Sequence, residues 1–187
     1  MKPRDIPNLI TAARILLVPP ILWLLLQERY STVLLLFLLA GASDGLDGFL
    51  AKRFGWSTYL GSILDPLADK LLLMGAIVVL GWQGNLPVWL VVLVILRDVV
   101  IVSGALSYHY LIESFEASPL FVSKLNTVVQ ILLVLAILFD QGVMALPAPI
   151  LIGLIAGVAL TTVSSGGIYV WEWGRRALSK GKQANAP

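Results

Sequence analysis

The chain has 187 residues, of which 58% are hydrophobic and only 13% are charged. Soluble domains are about half apolar and about a quarter charged, so this composition indicates lipid as the surrounding solvent. The absence of cysteine excludes disulfides, thiolate zinc sites and a cysteine nucleophile, and the single histidine, His109, excludes a histidine metal cluster. A formal net charge of +2 is too small to indicate a protein that binds nucleic acid.

Six apolar stretches follow one another along the chain, and each can supply the about 20 residues that a membrane-spanning helix needs. They fall near residues 7–27, 32–53, 61–82, 86–112, 121–139 and 148–173. Because open strands leave their backbone unpaired in lipid, we predict an all-α polytopic membrane protein with six transmembrane helices. No small-residue cleavage site follows the first stretch, so we expect it to be retained. We expect a single membrane domain over 1–176 and a disordered cytoplasmic tail over 177–187.

Basic residues are distributed asymmetrically about these six stretches. If both termini are cytoplasmic, nearly all the cations near helix ends lie on that side: Lys2, Arg4, Lys52, Arg53, Lys124, Arg175, Arg176, Lys180 and Lys182. On the opposite side, Arg29 is the only basic residue in a predicted loop. The positive-inside rule therefore predicts cytoplasmic termini.

Four aspartates stand in the second and third apolar stretches: Asp44, Asp47, Asp65 and Asp69. The spacings of three and four residues place each pair on one face of a helix. Carboxylates inside a membrane span cost about 2.5–3.5 kcal/mol each and need compensation. Hard divalent cations such as Mg²⁺ prefer carboxylate oxygens, and a two-metal site can clamp a diphosphate during in-line displacement at phosphorus.

Small residues share the faces of these aspartates and would let a bulky phosphate-bearing ligand approach the helix backbones. They are Gly48, Ala51, Gly61 and Ala68. The aspartates could instead be interfacial caps that pair with Lys52, Arg53 and Lys70, or they could mark the ion pathway of a transporter. A transporter more naturally spreads polar groups over several helices and often contains internal repeats, whereas these acids are concentrated near one membrane face.

The stretch from residue 44 to residue 69 resembles the signature of the CDP-alcohol phosphatidyltransferase family, Asp-x2-Asp-Gly-x2-Ala-Arg-x8-Gly-x3-Asp-x3-Asp. All its spacings match, and the only substitution is Lys52 at the position of the Arg. Members of the family have six membrane helices with this motif on the second and third, and they often open with a segment like IPNLITAARI, which this chain also contains. The resemblance therefore covers most of the chain.

This resemblance implies that CDP-diacylglycerol donates a phosphatidyl group to a glycerol-type alcohol and that CMP leaves. Asp44, Asp47 and Asp65 would bind two Mg²⁺ or Mn²⁺ ions, and Asp69 would complete the shell of the second ion and act as general base. The residues expected to bind the donor are Gly48, Ala51, Lys52 and Gly61. The active site would lie at the cytoplasmic face of a bacterial inner membrane. Members often form homodimers, although the sequence identifies no interface.

The acceptor is expected to contact Arg97, Lys124, Asn126 and Arg14. An Arg in lipid is costly, so Arg97 either binds an acceptor phosphate or neutralises the acidic cluster, and Arg14 either assists or anchors the first helix. Members that use glycerol 3-phosphate commonly carry Arg-Glu and Lys-x-Lys-Thr at the positions where this chain has Arg97-Asp98 and Lys124-Leu125-Asn126-Thr127. The chain more closely resembles the cardiolipin-forming members. The favoured acceptor is therefore phosphatidylglycerol, and glycerol 3-phosphate is the alternative.

Overall fold

The computed structural model describes the backbone of residues 6–54, 59–111 and 121–184, and the side chains of residues 13, 15–43, 68–104 and 121–171. Six α-helices account for nearly all of this backbone: α1 (Ile6–Leu26), α2 (Tyr30–Phe54), α3 (Tyr59–Trp82), α4 (Val88–Leu111), α5 (Phe121–Gly142) and α6 (Ala148–Ala184). No strand occurs in these three segments. The prediction of six helices in an all-α chain is therefore confirmed.

Many of the exposed side chains in the described part of the chain are large and apolar. Large apolar side chains point outward from every helix, among them Leu16, Leu35, Leu96 and Leu160, as expected for helices that contact lipid. In the described part of the chain, two segments are long and apolar enough to cross a membrane, and these are Phe121–Gly142 and Ala148–Trp171. The apolar segments of α1 and α2 are shorter, so the crossing of all six helices stays a prediction.

The chain divides into two compact units. The first contains residues 1–87 and 134–151, and therefore α1, α2, α3 and the end of α5. In this unit α1 packs against both α2 and α3. Its buried apolar side chains recur at helical spacing: Val18, Ile21 and Leu25 of α1, Val33 and Phe37 of α2, and Ala68, Leu72, Leu73, Ala76, Ile77 and Leu80 of α3. The unit is thus held together by continuous apolar seams along its helices.

Polar side chains tie the loops of the first unit together. The Gln83 amide donates to the carbonyl of Leu25 at 2.7 Å, and the Asn85 amide donates to the Tyr30 hydroxyl at 3.0 Å. The Leu25 carbonyl, in the last turn of α1, also accepts a hydrogen bond from the Glu28 nitrogen at 2.9 Å, so Gln83 occupies its second acceptor position. These bonds join the α1–α2 connection to the α3–α4 connection.

The second unit contains residues 88–133 and 152–187, which supply α4, the first half of α5 and most of α6. Its apolar interior includes Leu90, Val94, Leu133 and Val158. The last helix continues past residue 176 to Ala184, through most of the stretch for which the sequence predicts a disordered tail. The domain boundary predicted at residue 176 stays a prediction.

We expect Gly142→Ala to lower the free energy of unfolding by about 1–3 kcal/mol, the usual cost of overpacking. A Cβ at Gly142 would lie 2.6 Å from the Ser31 nitrogen and 2.9 Å from the Tyr30 carbonyl carbon, and these backbone atoms cannot yield cheaply. Gly153→Ala is the matched control, because a Cβ there meets no heavy atom within 4 Å. Thermal unfolding in detergent checks this prediction, and equal midpoints for the two variants would contradict it.

Candidate functional site

The predicted metal-binding aspartates lie on two helices of the first unit. Helix α2 carries Asp44 and Asp47, and α3 carries Asp65 and Asp69. The backbone is helical throughout both segments, so each pair lies on one helix face, as the spacing predicts. Both helices contact α1. The backbone therefore supports the register on which the predicted metal site depends.

Most of the predicted donor and metal site lies outside the described side chains. This group consists of Asp44, Asp47, Gly48, Ala51, Lys52, Gly61 and Asp65, together with Arg14 of the predicted acceptor site. No group of three or more His, Cys, Asp or Glu side chains that could hold a metal ion occurs among those that are described. The ligand set and the donor contacts stay predictions.

Asp69 is the predicted metal ligand whose side chain is described. It is exposed, although the neighbouring Ala68 and the residues three and four positions further on, Leu72 and Leu73, are all buried. Asp69 thus lies on the same face of α3 as the buried Leu72 and Leu73, but its own side chain is accessible. A carboxylate that binds a metal ion or removes a proton from a substrate must be reachable in this way.

Arg97 is the centre of a buried polar network in the second unit. Its Nη1 donates to Asp98 Oδ1 at 2.6 Å, and its Nη2 donates to the hydroxyls of Ser123 and Ser165, both at 2.6 Å. The side chain is only 6% exposed, and its Nε is buried with no hydrogen-bond partner in the part of the chain that the structure describes. The network connects α4 with α5 and α6.

The sequence leaves two roles open for Arg97, phosphate binding and neutralisation of the acidic cluster. The structure shows the adjacent Asp98 as a carboxylate partner of Arg97. The charge of Arg97 is thus offset within its own helix. Its contact with an acceptor phosphate stays a prediction.

Asn126 lies in the same unit and is completely buried. Its Oδ1 accepts hydrogen bonds from the hydroxyls of Thr161 and Thr162 at 2.9 Å each, and its Nδ2 has no partner among the described residues. Gln130, one turn further along α5, is also buried, and its Nε2 also has no partner. The predicted acceptor residue is therefore part of the contact between α5 and α6.

Lys124, in contrast, is exposed. It directly follows Ser123, which accepts a hydrogen bond from Arg97. Arg97 therefore contacts α5 at the residue next to Lys124. The exposed ammonium of Lys124 is open to a ligand, whereas Asn126 is enclosed between helices.

The hydroxyl residues of α5 and α6 and the amide of Gln130 were not predicted from the sequence. They follow helical spacing, with Ser123, Asn126 and Gln130 on one face of α5 and Thr161, Thr162 and Ser165 on one face of α6. Polar residues that recur at this spacing within apolar helices are the signal that indicates them.

The family comparison agrees with the motif on α2 and α3. The family model described as CDP-alcohol phosphatidyltransferase matches residues 4–164. The chain belongs to the CDP-alcohol phosphatidyltransferase family. This match extends from the first helix into α6 and includes the aspartate motif, Arg97 and Ser123.

Curated relatives fall into two groups by name. The chain is 35% identical over 198 residues to a CMP-forming cardiolipin synthase of Rattus norvegicus, covering 96% of this chain and 65% of the relative. It is 37% identical over 153 residues to the chloroplastic CDP-diacylglycerol–glycerol-3-phosphate 3-phosphatidyltransferase 1 of Oryza sativa subsp. japonica, covering 73% and 46%. It is 41% identical over 104 residues to a CDP-diacylglycerol–glycerol-3-phosphate 3-phosphatidyltransferase of Pseudomonas fluorescens, covering 54% and 53%. The chain thus spans about half to two-thirds of the length of these relatives.

We expect Arg97→Met to destabilise the protein by more than about 1 kcal/mol, because charge-assisted hydrogen bonds contribute about 1.5–3 kcal/mol and the variant would lose those to Asp98, Ser123 and Ser165. Arg29→Met is the matched control at an exposed position and should change stability by less than about 0.5 kcal/mol. The measurement is the free energy of unfolding in detergent. Combining Arg97→Met with Asp98→Asn should cost less than the sum of the two single changes, and strict additivity would refute the coupling.

Proposed function

We propose that the protein transfers the phosphatidyl group of CDP-diacylglycerol to a glycerol-type alcohol and releases CMP, as a step of phospholipid biosynthesis. The observation that carries this proposal is the aspartate motif on α2 and α3, inside the segment that matches the family. The names of the Oryza and Pseudomonas relatives give this donor and a glycerol-type acceptor, and the name of the Rattus relative gives CMP as a product. An ion-coupled transporter, the distant alternative, has no comparable support.

We propose that Mg²⁺ or Mn²⁺ ions bind to Asp44, Asp47 and Asp65, with Asp69 completing the ligand set of the second ion. This set fits hard divalent cations because all its donors are carboxylate oxygens on helical turns that keep their register, and because Asp69 is accessible. When bound, such ions neutralise the negative charge of the donor diphosphate. We propose that Gly48, Ala51, Lys52 and Gly61 contact the donor, as the resemblance of the motif to the family signature implies.

Asp69 acts in this proposal as the general base. Its carboxylate accepts the proton of the acceptor hydroxyl while the hydroxyl oxygen attacks the phosphorus that carries the diacylglycerol. The bond between this phosphorus and the bridging oxygen of the diphosphate breaks, and CMP leaves with the electron pair. Proximity to a cytoplasmic membrane surface, which the loop cations favour, would give the site access to both lipid and nucleotide.

We propose phosphatidylglycerol as the acceptor. Asp98 offsets the charge of Arg97, and Asn126 is neutral. Among the predicted acceptor residues with described side chains, Lys124 is the exposed cation. This balance suits the single negative charge of a phosphodiester better than the nearly double charge of a phosphomonoester. The similarity to cardiolipin synthases supports this choice, whereas the similarity to the Oryza and Pseudomonas transferases supports glycerol 3-phosphate as the second candidate.

We also propose that all six helices cross the membrane with both termini and the active site on the cytoplasmic side, in a bacterial inner membrane. The apolar outer surface and the cations at one set of helix ends support this arrangement.

We expect three single substitutions each to lower the rate of CMP release at least about 100-fold: Asp44→Asn, Asp47→Asn and Asp65→Asn. Each of them removes the charge of a proposed metal ligand. Chelation of divalent ions should stop release by the unmodified protein, and added Mg²⁺ or Mn²⁺ should restore it. Asp69→Asn should lose turnover but keep donor binding. Asp140→Asn, outside the motif, is the control and should keep its rate. A normal rate in the Asp65→Asn protein would exclude the metal site.

The acceptor is tested by offering labelled CDP-diacylglycerol with phosphatidylglycerol or glycerol 3-phosphate in one vesicle preparation and identifying the lipid product. We expect cardiolipin. We expect Lys124→Gln to lower acceptor kcat/KM about tenfold, the lower value for loss of a charge-assisted hydrogen bond, with the donor KM unchanged. Arg29→Gln is the control for surface charge. If the protein forms phosphatidylglycerophosphate in preference to cardiolipin, the acceptor is glycerol 3-phosphate and the second candidate is correct.

A further inference from the structure

The last helix of the second unit extends well past its packing partner α5. Ser123 of α5 lies at the level of Ser165 of α6, because both accept hydrogen bonds from the same guanidinium group. Asn126, one turn further along α5, accepts a hydrogen bond from Thr162, one turn earlier in α6, so the two helices run antiparallel. Helix α5 begins just before Ser123, whereas α6 continues to Ala184. At a rise of about 1.5 Å per residue, about 25 Å of α6 therefore lies beyond the first residue of α5.

The end of α6 starts where its candidate membrane span stops. The segment of α6 that is long and apolar enough to cross a membrane ends at Trp171, whose side chain is 75% exposed. Tryptophan is enriched at the interface between lipid and water. The helix continues beyond it through residues 172–184. Residues 175 and 176 come about 6–8 Å after Trp171 along the axis, which is about the depth of the headgroup layer.

The sequence of this helix end is basic and amphipathic. Its four cations, Arg175, Arg176, Lys180 and Lys182, stand against the single acid Glu172, so its formal net charge of +3 exceeds the +2 of the whole chain. At 3.6 residues per turn, the helical backbone places the four positions within an arc of about 160°. The remaining arc carries small and apolar residues, which are Trp173, Gly174, Ala177, Leu178 and Gly181. A basic amphipathic helix next to a membrane span is typical of segments that bind anionic lipids.

We propose that the end of α6, residues 172–184, binds the anionic lipid surface of the surrounding membrane. Its cations complement the phosphate groups of anionic lipids, and the attraction acts over a Debye length of about 8 Å, which includes the positions of Lys180 and Lys182. The occupant is a lipid surface rather than a soluble polyanion, because this basic segment is continuous with a candidate membrane span and follows an exposed interfacial tryptophan.

One consequence of this binding rests on the proposed function. CDP-diacylglycerol and phosphatidylglycerol are both anionic lipids, so a basic helix end that attracts them raises their concentration beside the protein. Attraction of this kind changes the apparent affinity for both lipids and leaves the chemical step unchanged.

The experiment uses the full chain and needs no turnover. Because the chain contains no cysteine, Ser179→Cys supplies a single site for an environment-sensitive dye within the basic segment. The labelled protein is reconstituted into phosphatidylcholine vesicles with or without phosphatidylserine, an anionic lipid that is not a proposed substrate. We expect the dye emission to shift to the blue when phosphatidylserine is present. The shift should disappear at about 1 M salt, where the Debye length is about 3 Å.

Charge variants test the role of the cations. The combined variant Arg175→Gln, Arg176→Gln, Lys180→Gln and Lys182→Gln should lose the emission shift. The matched control, Arg175→Lys with Arg176→Lys, keeps all four charges and should retain it. In the assay of CMP release, the Gln variant should raise the KM for both lipid substrates about fivefold and leave kcat within about twofold.

The outcomes separate lipid binding from the proposed function. Equal emission in the two kinds of vesicle, or a shift that persists at high salt or in the Gln variant, would overturn the proposal. A larger shift on adding duplex DNA to phosphatidylcholine vesicles would identify a soluble polyanion as the partner instead. The salt titration uses the native charges and therefore decides even if the Gln variant does not fold. If the emission shifts as expected but no CMP is released, lipid binding stands and the proposed function fails. If the KM values do not change, the effect on substrate concentration is wrong.

Discussion

A charged side chain inside an apolar helical protein must find partners within the protein, because lipid offers none. Arg97 shows how this chain meets the requirement. The next residue, Asp98, offsets the charge, and hydroxyls from two other helices accept the hydrogen bonds that Asp98 cannot. The packing of α4, α5 and α6 is therefore coupled to the orientation of one guanidinium group.

The same need for partners applies to the aspartates of α2 and α3. Their helical register is present in the backbone, and carboxylates grouped in this way need cations to compensate their charge. Metal ions that also hold a diphosphate would satisfy the energetic need and the chemical one together. The proposed reaction thus rests on the groups that an apolar environment makes most costly, and these groups lie inside the segment that matches the family.

The two units are stabilised in different ways. Apolar seams and loop hydrogen bonds hold the first, where Gln83 and Asn85 connect neighbouring helix ends. The second has a polar contact in its interior, where Asn126 joins α5 to the two threonines of α6. Buried polar contacts lose more than apolar ones when a partner is displaced, since an unpaired group then stays in a low-dielectric interior. Substitutions that remove one partner of a polar contact in the second unit are accordingly expected to lower the stability of its helix packing.

The six helices were determined by the sequence itself, because apolar length and the spacing of aspartates at three and four residues are local properties of the chain. The family was determined in the same way, since its motif lies within a single stretch of α2 and α3. The partners of Arg97 and the enclosure of Asn126 were decided only by the tertiary structure. Ser165 lies far from Arg97 along the chain, and no local sequence pattern predicts which hydroxyl of α6 forms a hydrogen bond with which side chain of α4. That choice depends on how helices rotate and approach one another, to which residues of all three helices contribute.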